Sequence, residues 1–281
     1  MATRVNEVQE SEISSMEDGG ATSAEHTSGG FIGCCRRRWS SPPGKRFLIA
    51  EVIGTYFVVF AGCGSVAVNK IYGQVTFPGI CVTWGLVVMV MIYTVGHISG
   101  AHFNPAVTIT LAAFRRFPFW EVPLYIAAQL TGSILASATL AGILEVTPNA
   151  FFGTVPAGSS GQSLMVEIII TFLLMFVISG VTTDNRARGE LGGIAVGMTI
   201  MLNVFVGGQV SGASMNPVRS LGPAIVKHTY TGIWVYVVGP IVGALAGAFA
   251  YNLIRFTDKP LRDIAKSNAL LRTISMSNTS P

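Results

Sequence analysis

The sequence predicts an all-α membrane protein of six transmembrane helices and two half-helices, arranged as an inverted repeat. Three observations carry this. The 281 residues are 50% hydrophobic and only 11% charged, with a mean hydropathy of +0.56, whereas soluble domains carry about 25% charged residues; a surface so poor in charge belongs in lipid. Six long apolar runs are spaced along the chain. And one eleven-residue stretch is written twice: GHISGAHFNPA from Gly96 to Ala106 and GQVSGASMNPV from Gly208 to Val218 agree at Gly, Ser, Gly, Ala, Asn and Pro.

Residues 1–46 are polar, with Ser, Glu and Gly prominent, and predict a disordered tail without a signal peptide. Within it Cys34 and Cys35 adjoin Arg36, Arg37 and Arg38, a pattern open to palmitoylation at a membrane surface or to plain free thiols. Cys63 and Cys81 fall in apolar runs and read as free thiols. No cysteine has metal-type spacing, so neither a metal nor a cofactor is expected. The apolar runs are approximately Phe47–Val68, Phe77–Val95, Val122–Leu144, Leu164–Val181, Leu191–Val206 and Gly232–Ile254. A span needs about 20 residues to cross about 30 Å of hydrocarbon, and these fit. The membrane domain is therefore residues 47–256, with repeats at about 47–144 and 164–256, followed by a tail at 257–281.

Six crossings leave both tails on one side. Of the 18 Lys and Arg residues, Lys70 and Lys227 fall in loops on one face and Arg219 follows the second Asn-Pro. The others lie in the tails or at Arg115, Arg116, Arg186 and Arg188, which predicts cytoplasmic termini. The net charge of +4 is scattered, and no nucleic-acid face is expected.

Each half holds three spans, an odd number, so the halves have opposite topology. IAEVIGTYFVVFAG from Ile49 aligns with VEIIITFLLMFVISG from Val166, matching Glu51 with Glu167; the third and sixth spans align Tyr125 with Tyr236 and Gly132 with Gly243. Each Asn-Pro lies between the second and third span of its half. About ten apolar residues follow it, AVTITLAAF after Pro105 and VRSLGPAIV after Pro217. At 1.5 Å per residue such a helix covers about 15 Å, half a bilayer. Asn is a favoured N-cap and Pro a favoured first helical residue, so Asn104-Pro105-Ala106 and Asn216-Pro217-Val218 predict half-helices whose N-termini meet at the centre. The Ser-Gly-Ala stretches before them are non-helical at membrane depth, which is tolerated only beside a water-filled path or inside protein. Capping engages each Asn oxygen and leaves its NH₂ free to donate toward that path. Inverted repeats with broken helices place a conduction site at the midplane.

Arg219 lies three residues after Asn216, on the same helical face, and an Arg at membrane depth lines a polar path rather than lipid. Glu51 and Glu167 are the acidic residues deepest in spans. They read either as a proton relay or, from their equivalent places in the two halves, as structural acceptors for loop N–H groups. His97 and His102 precede the first Asn-Pro and read as packing or loop hydrogen bonding, or as a pH sensor. Gly239, Gly243 and Gly247, with Gly132 and Ala136, form small-residue stripes for close helix packing within the monomer.

Six spans, an inverted repeat and paired Asn-Pro boxes resemble the major intrinsic proteins, the aquaporin and aquaglyceroporin family, over roughly residues 46–256. Within it GHISGAHFNPAVT, TDNRARGELGGIAVG and NLIRFTDKP resemble the plant nodulin-26-like branch. The resemblance implies the aquaporin fold, no enzymatic activity, a homotetramer, and passive passage of water and small uncharged solutes, with protons and ions excluded. It identifies Trp84, Val204 and Ala213, with Arg219, as the selectivity filter. Water-selective members have His where this chain has Val204; Val and Ala leave a wider opening with an apolar wall, suited to glycerol. Urea, ammonia, hydrogen peroxide and neutral metalloid acids fit the same opening. One departure is Val218, where the common box ends in Ala; the larger residue narrows or reshapes the waist.

In the C-terminal tail, Arg272 three residues before Ser275 resembles the kinase site of nodulin-26-like tails. The expected location is a multi-pass membrane protein of the plasma membrane, in contact with the lipid bilayer. An ion-coupled secondary transporter is the alternative, since it too uses inverted repeats; it requires coupling-ion ligands, for which Glu51 and Glu167 are the acidic candidates.

Overall fold

The computed structural model describes residues 46–144, 150–183 and 191–255. Most of the two tails, with Cys34, Cys35 and Ser275, and the basic residues Arg186 and Arg188 lie outside the described residues. The described chain is helical: α1 (Arg46–Tyr72), α2 (Thr76–Ser99), α3 (Pro105–Ala113), a 3₁₀ turn (Phe119–Glu121), α4 (Val122–Ile143), α5 (Ser160–Thr183), α6 (Gly192–Gly207), α7 (Pro217–Lys227) and α8 (Val235–Ile254).

Five of these, α1, α2, α4 with its preceding 3₁₀ turn, α5 and α8, are long and apolar enough to cross a membrane. The fifth span in chain order, α6, has only 16 residues. At 1.5 Å per residue it covers about 24 Å, short of a full crossing. The chain makes up the difference in the bent segment after Gly208, where Val210 and Ser211 both bond back to Gly207. The half-helices α3 and α7 have nine and eleven residues, as the runs after each Asn-Pro predict.

The inverted repeat is carried by packing as well as by sequence. In the first half α1 packs on α4 and on α2; in the second, α5 packs on α8 and on α6. The half-helices cross over: α3 packs against α8, and α7 against α4. Each half thus completes the other.

Glycine decides how close the helices come. A Cβ at Gly132 of α4 would run into the carbonyl oxygen of Val52 in α1. Its counterpart Gly243 of α8 would meet the carbonyl oxygen of Ile168 in α5, and Gly247 that of Phe172. The stripes therefore pack within the chain, backbone on backbone. Where α2 meets α6, Gly85 and Gly197 face each other. A Cβ on Gly85 would lie 2.7 Å from the oxygen of Gly197, and one on Gly197 would lie 2.6 Å from the oxygen of Gly85. These glycines are 112 positions apart, the spacing of the duplicated boxes, so the pseudo-twofold axis runs through their contact.

The outward faces repeat too. Ile49, Ile53 and Phe57 are exposed along α1, and their counterparts Met165, Ile169 and Leu173 along α5. Large apolar residues exposed on consecutive turns are what lipid, not water, accommodates.

Candidate functional site

The two Asn-Pro boxes meet at the centre. Asn104 (φ −152°, ψ 119°) caps α3 and Asn216 (φ −152°, ψ 113°) caps α7; both are extended, and Pro follows each. The Oδ1 of Asn104 accepts from the N–H of Ala106 at 2.9 Å, and that of Asn216 from Val218 at 3.1 Å. The capping expected from the sequence is thus present in both halves.

The asparagine amides do more than point inward. Nδ2 of Asn104 donates to the carbonyl of Met215 at 2.8 Å, and Nδ2 of Asn216 donates to the carbonyl of Phe103 at 2.8 Å. This corrects the expectation of a free NH₂: one of its two hydrogens is engaged across the twofold axis, and one is left. Sequence spacing cannot reveal that bond, because it joins residues more than a hundred positions apart. Its consequence is rigidity: each box is bonded to the loop that leads into the other.

Those loops are strained in the same way. Gly100, Ala101 and Phe103 have φ of +88°, +50° and +50°; Gly212, Ala213 and Met215 have +83°, +44° and +53°. Left-handed conformations at non-glycine residues are unfavourable and persist only where surroundings enforce them. Buried carboxylates enforce them here. Glu51 accepts from the N–H of His102 (3.0 Å) and of Phe103 (2.8 Å), and Glu167 from Ser214 and Met215 (both 2.8 Å). Glu51 also accepts from Gln129 at 2.9 Å, and Glu167 from the Ser211 hydroxyl at 2.7 Å. Between them the two carboxylates hold the loop backbone that a membrane would otherwise leave unpaired.

Residues that sequence reading did not assign to the site complete it. The Tyr125 hydroxyl donates to the Ser99 carbonyl at 2.8 Å and the Tyr236 hydroxyl to that of Ser211 at 2.7 Å; their alignment in the repeat was the available signal. Thr108 donates to the Asn104 carbonyl and accepts from Gln129, both at 3.0 Å. Its hydroxyl also lies 3.1 Å from His102 Nδ1, which ties that histidine into the same cluster. Ser214 and Ser220, at the equivalent places, bond to each other at 2.6 Å. Asn203 donates to the Ile170 carbonyl at 2.7 Å and approaches the Met215 sulfur at 3.1 Å.

About one turn along α7 from Asn216 lies Arg219, buried. Its guanidinium stands over the Trp84 ring, with Cζ 4.9 Å from the centroid. Nε and Nη1 of Arg219 are buried and meet no acceptor among the described residues, so two donors of this cation are left unpaired by the protein. Trp84, Val204 and Ala213 are all buried and belong to one apolar cluster. The four residues come from α2, α6, the loop before α7, and α7. Val218 is buried in α7 (1% exposed), and its carbonyl accepts from Ser133 of α4 at 2.6 Å.

The model of the family described as "Major intrinsic protein" matches residues 38–251. Among curated proteins, the chain is 71% identical to "Probable aquaporin NIP-type" of Nicotiana alata, over 94% of this chain and 97% of that protein. It is 58% identical to Nodulin-26 of Glycine max, over 83% and 86%. Among solved structures it resembles the aquaglyceroporin of Plasmodium falciparum, with a TM-score of 0.68 at 28% identity, covering 74% of this chain and 96% of that one.

Proposed function

The chain belongs to the major intrinsic protein family, whose members are membrane channels for water and small solutes and not enzymes, and on that footing we propose that it selects small uncharged solutes of the glycerol type at a filter of Trp84, Val204, Ala213 and Arg219. The observation that carries this reading is Arg219, a buried guanidinium over Trp84 with Nε and Nη1 unmatched by protein acceptors. A hydroxyl admitted beside the guanidinium would supply the missing acceptor. Trp84, Val204 and Ala213 supply an apolar surface for the CH edge of the same solute. An amphipathic polyol satisfies both sides at once, and the aquaglyceroporin likeness supports it.

At the waist, the N-terminal ends of α3 and α7 each carry about half a positive charge, and each asparagine keeps one amide hydrogen. Water turns its oxygen toward these donors and its hydrogens away along both arms of the file. Proton hopping needs the opposite orientation somewhere along the file and is interrupted; cations meet a positive potential. Val218 in place of Ala adds bulk to the wall beside Asn216.

Urea, ammonia, hydrogen peroxide and neutral metalloid acids share the lack of charge and the small cross-section, and belong to the same proposal. So do a homotetramer and a plasma-membrane address, which rest on the family resemblance, cytoplasmic termini, which rest also on Arg115 and Arg116 after the first half-helix, and a kinase site at Ser275, which rests on Arg272 three residues before it. The test is a stopped-flow panel of these solutes on purified proteoliposomes. Glycerol flux well above that of protein-free vesicles is expected; flux of water alone overturns the solute assignment.

A further inference from the structure

We propose that Gly62 of α1 is a specificity-determining residue: it is the seat on which the Trp84 ring lies, and it sets how far that ring reaches into the constriction. A Cβ built at Gly62 would lie far inside van der Waals contact of Trp84, its nearest atoms being Cε3, Cζ3 and Cη2, all at one distance. A point equidistant from three successive atoms of a six-membered ring lies over the ring's face, not against its edge. The indole therefore lies flat on the α1 backbone, in space that only glycine leaves open. With that face covered by helix, the guanidinium of Arg219 at 4.9 Å from the centroid takes the other. The ring is held between a helix backbone and a fixed cation.

Comparison of the two halves points to the same conclusion. Glu51 and Glu167 set the register of α1 against α5, 116 positions apart. In that register Gly62 corresponds to Ile178, and Gly54 to Ile170. Across from them, Trp84 corresponds to Val196 and Phe103 to Met215, in the 112-position register of the boxes. Gly54 is itself a seat, since a Cβ there would meet the Phe103 ring. In the first half, glycine on the wall helix faces an aromatic ring; in the second, isoleucine takes the wall position and a smaller or unbranched side chain stands opposite. Bulk is exchanged between wall and lumen at both levels. Trp84 can be an indole because position 62 is glycine.

The inference rests on the proposal that Trp84 lines the constriction, and the experiment separates the two. Glycerol and water permeabilities are measured on the same proteoliposomes for Gly62→Ala, Trp84→Ala and the double variant. In Gly62→Ala, the methyl lifts the ring toward Arg219, and the glycerol-to-water ratio is expected to fall about tenfold, the change given by about 1.4 kcal/mol at the barrier. Trp84→Ala removes the ring and raises the ratio or admits larger polyols. In the double variant the methyl has no ring to lift, so the ratio matches that of Trp84→Ala. An unchanged ratio in Trp84→Ala sinks the filter assignment. A normal response in Trp84→Ala with an unchanged ratio in Gly62→Ala overturns the seat alone. If Gly62→Ala fails to assemble, an assembled double variant supports the seat, and a double variant that also fails overturns it, because Gly62 then packs on something other than Trp84.

Discussion

At the scale of single residues, charge and size are separable. Val204 is buried among the apolar residues that include Trp84 and Ala213. Histidine there adds bulk and a polar group to the wall that a glycerol CH edge needs. Water needs neither and gains a partner. Val204→His is expected to lower glycerol permeability about tenfold, equivalent to about 1.4 kcal/mol, while water permeability holds or rises; osmotic swelling at matched protein content measures both, and unchanged glycerol flux removes Val204 from the filter. Glu167 tests the other kind of residue. Its two oxygens accept from two loop N–H groups and a hydroxyl, so the amide of Glu167→Gln sets a donor against a donor. One unsatisfied buried group costs about 1–3 kcal/mol. The purified variant is expected to unfold at lower temperature, with water flux reduced. A proton-relay role predicts instead an unchanged melting temperature.

At the scale of elements, the helices are spaced by glycine rather than by large side chains. Gly243 lies against the backbone of α5 at Ile168, so Gly243→Leu must force α8 and α5 apart. Overpacking of a tight interface costs about 1–3 kcal/mol or more, and α8 also carries the packing surface for α3. The variant should therefore lose folded yield and melting temperature together. Gly142, near the end of α4, has no atom within 4 Å of a built Cβ, and Gly142→Ala is the control, expected to be neutral or slightly stabilising. Equal effects at the two sites would contradict the packing account. The half-helices make the same point about interdependence. Each is capped within its own half, yet its asparagine bonds to the other half's loop and its flank packs on the other half's third span.

At the scale of the whole molecule, the two halves bond and pack into each other across the centre. The loops are fixed by Glu51 and Glu167, and both carboxylates are occupied by N–H and O–H donors instead of being available as coupling-ion ligands. Conduction through a channel so built follows the solute gradient alone. Glycerol flux in proteoliposomes is expected to rise linearly with its gradient and to ignore an imposed pH gradient or voltage. Accumulation above equilibrium driven by a proton gradient would favour the coupled transporter.

The sequence by itself determined the class of fold, the number of spans, the repeat and the two half-helices. Each of these is written in local terms: an apolar run as long as a bilayer, an odd number of runs per half, and Asn-Pro at the start of a ten-residue run. It also marked Arg219 by helical spacing, and Glu51 and Glu167 by their place in the repeat. Only the tertiary structure decided which partners these residues take. The crossed bonds from Asn104 to Met215 and from Asn216 to Phe103, the exchange of half-helices between halves, and the seating of Trp84 on Gly62 all join segments distant in the chain. The shortness of α6 is legible in its 16-residue run, Leu191–Val206, whereas the bent backbone that follows Gly208 is seen only in the structure. Hydropathy and capping act between near neighbours and can be read along a chain, whereas hydrogen bonds across an axis and the space a missing Cβ leaves exist only once the helices are together.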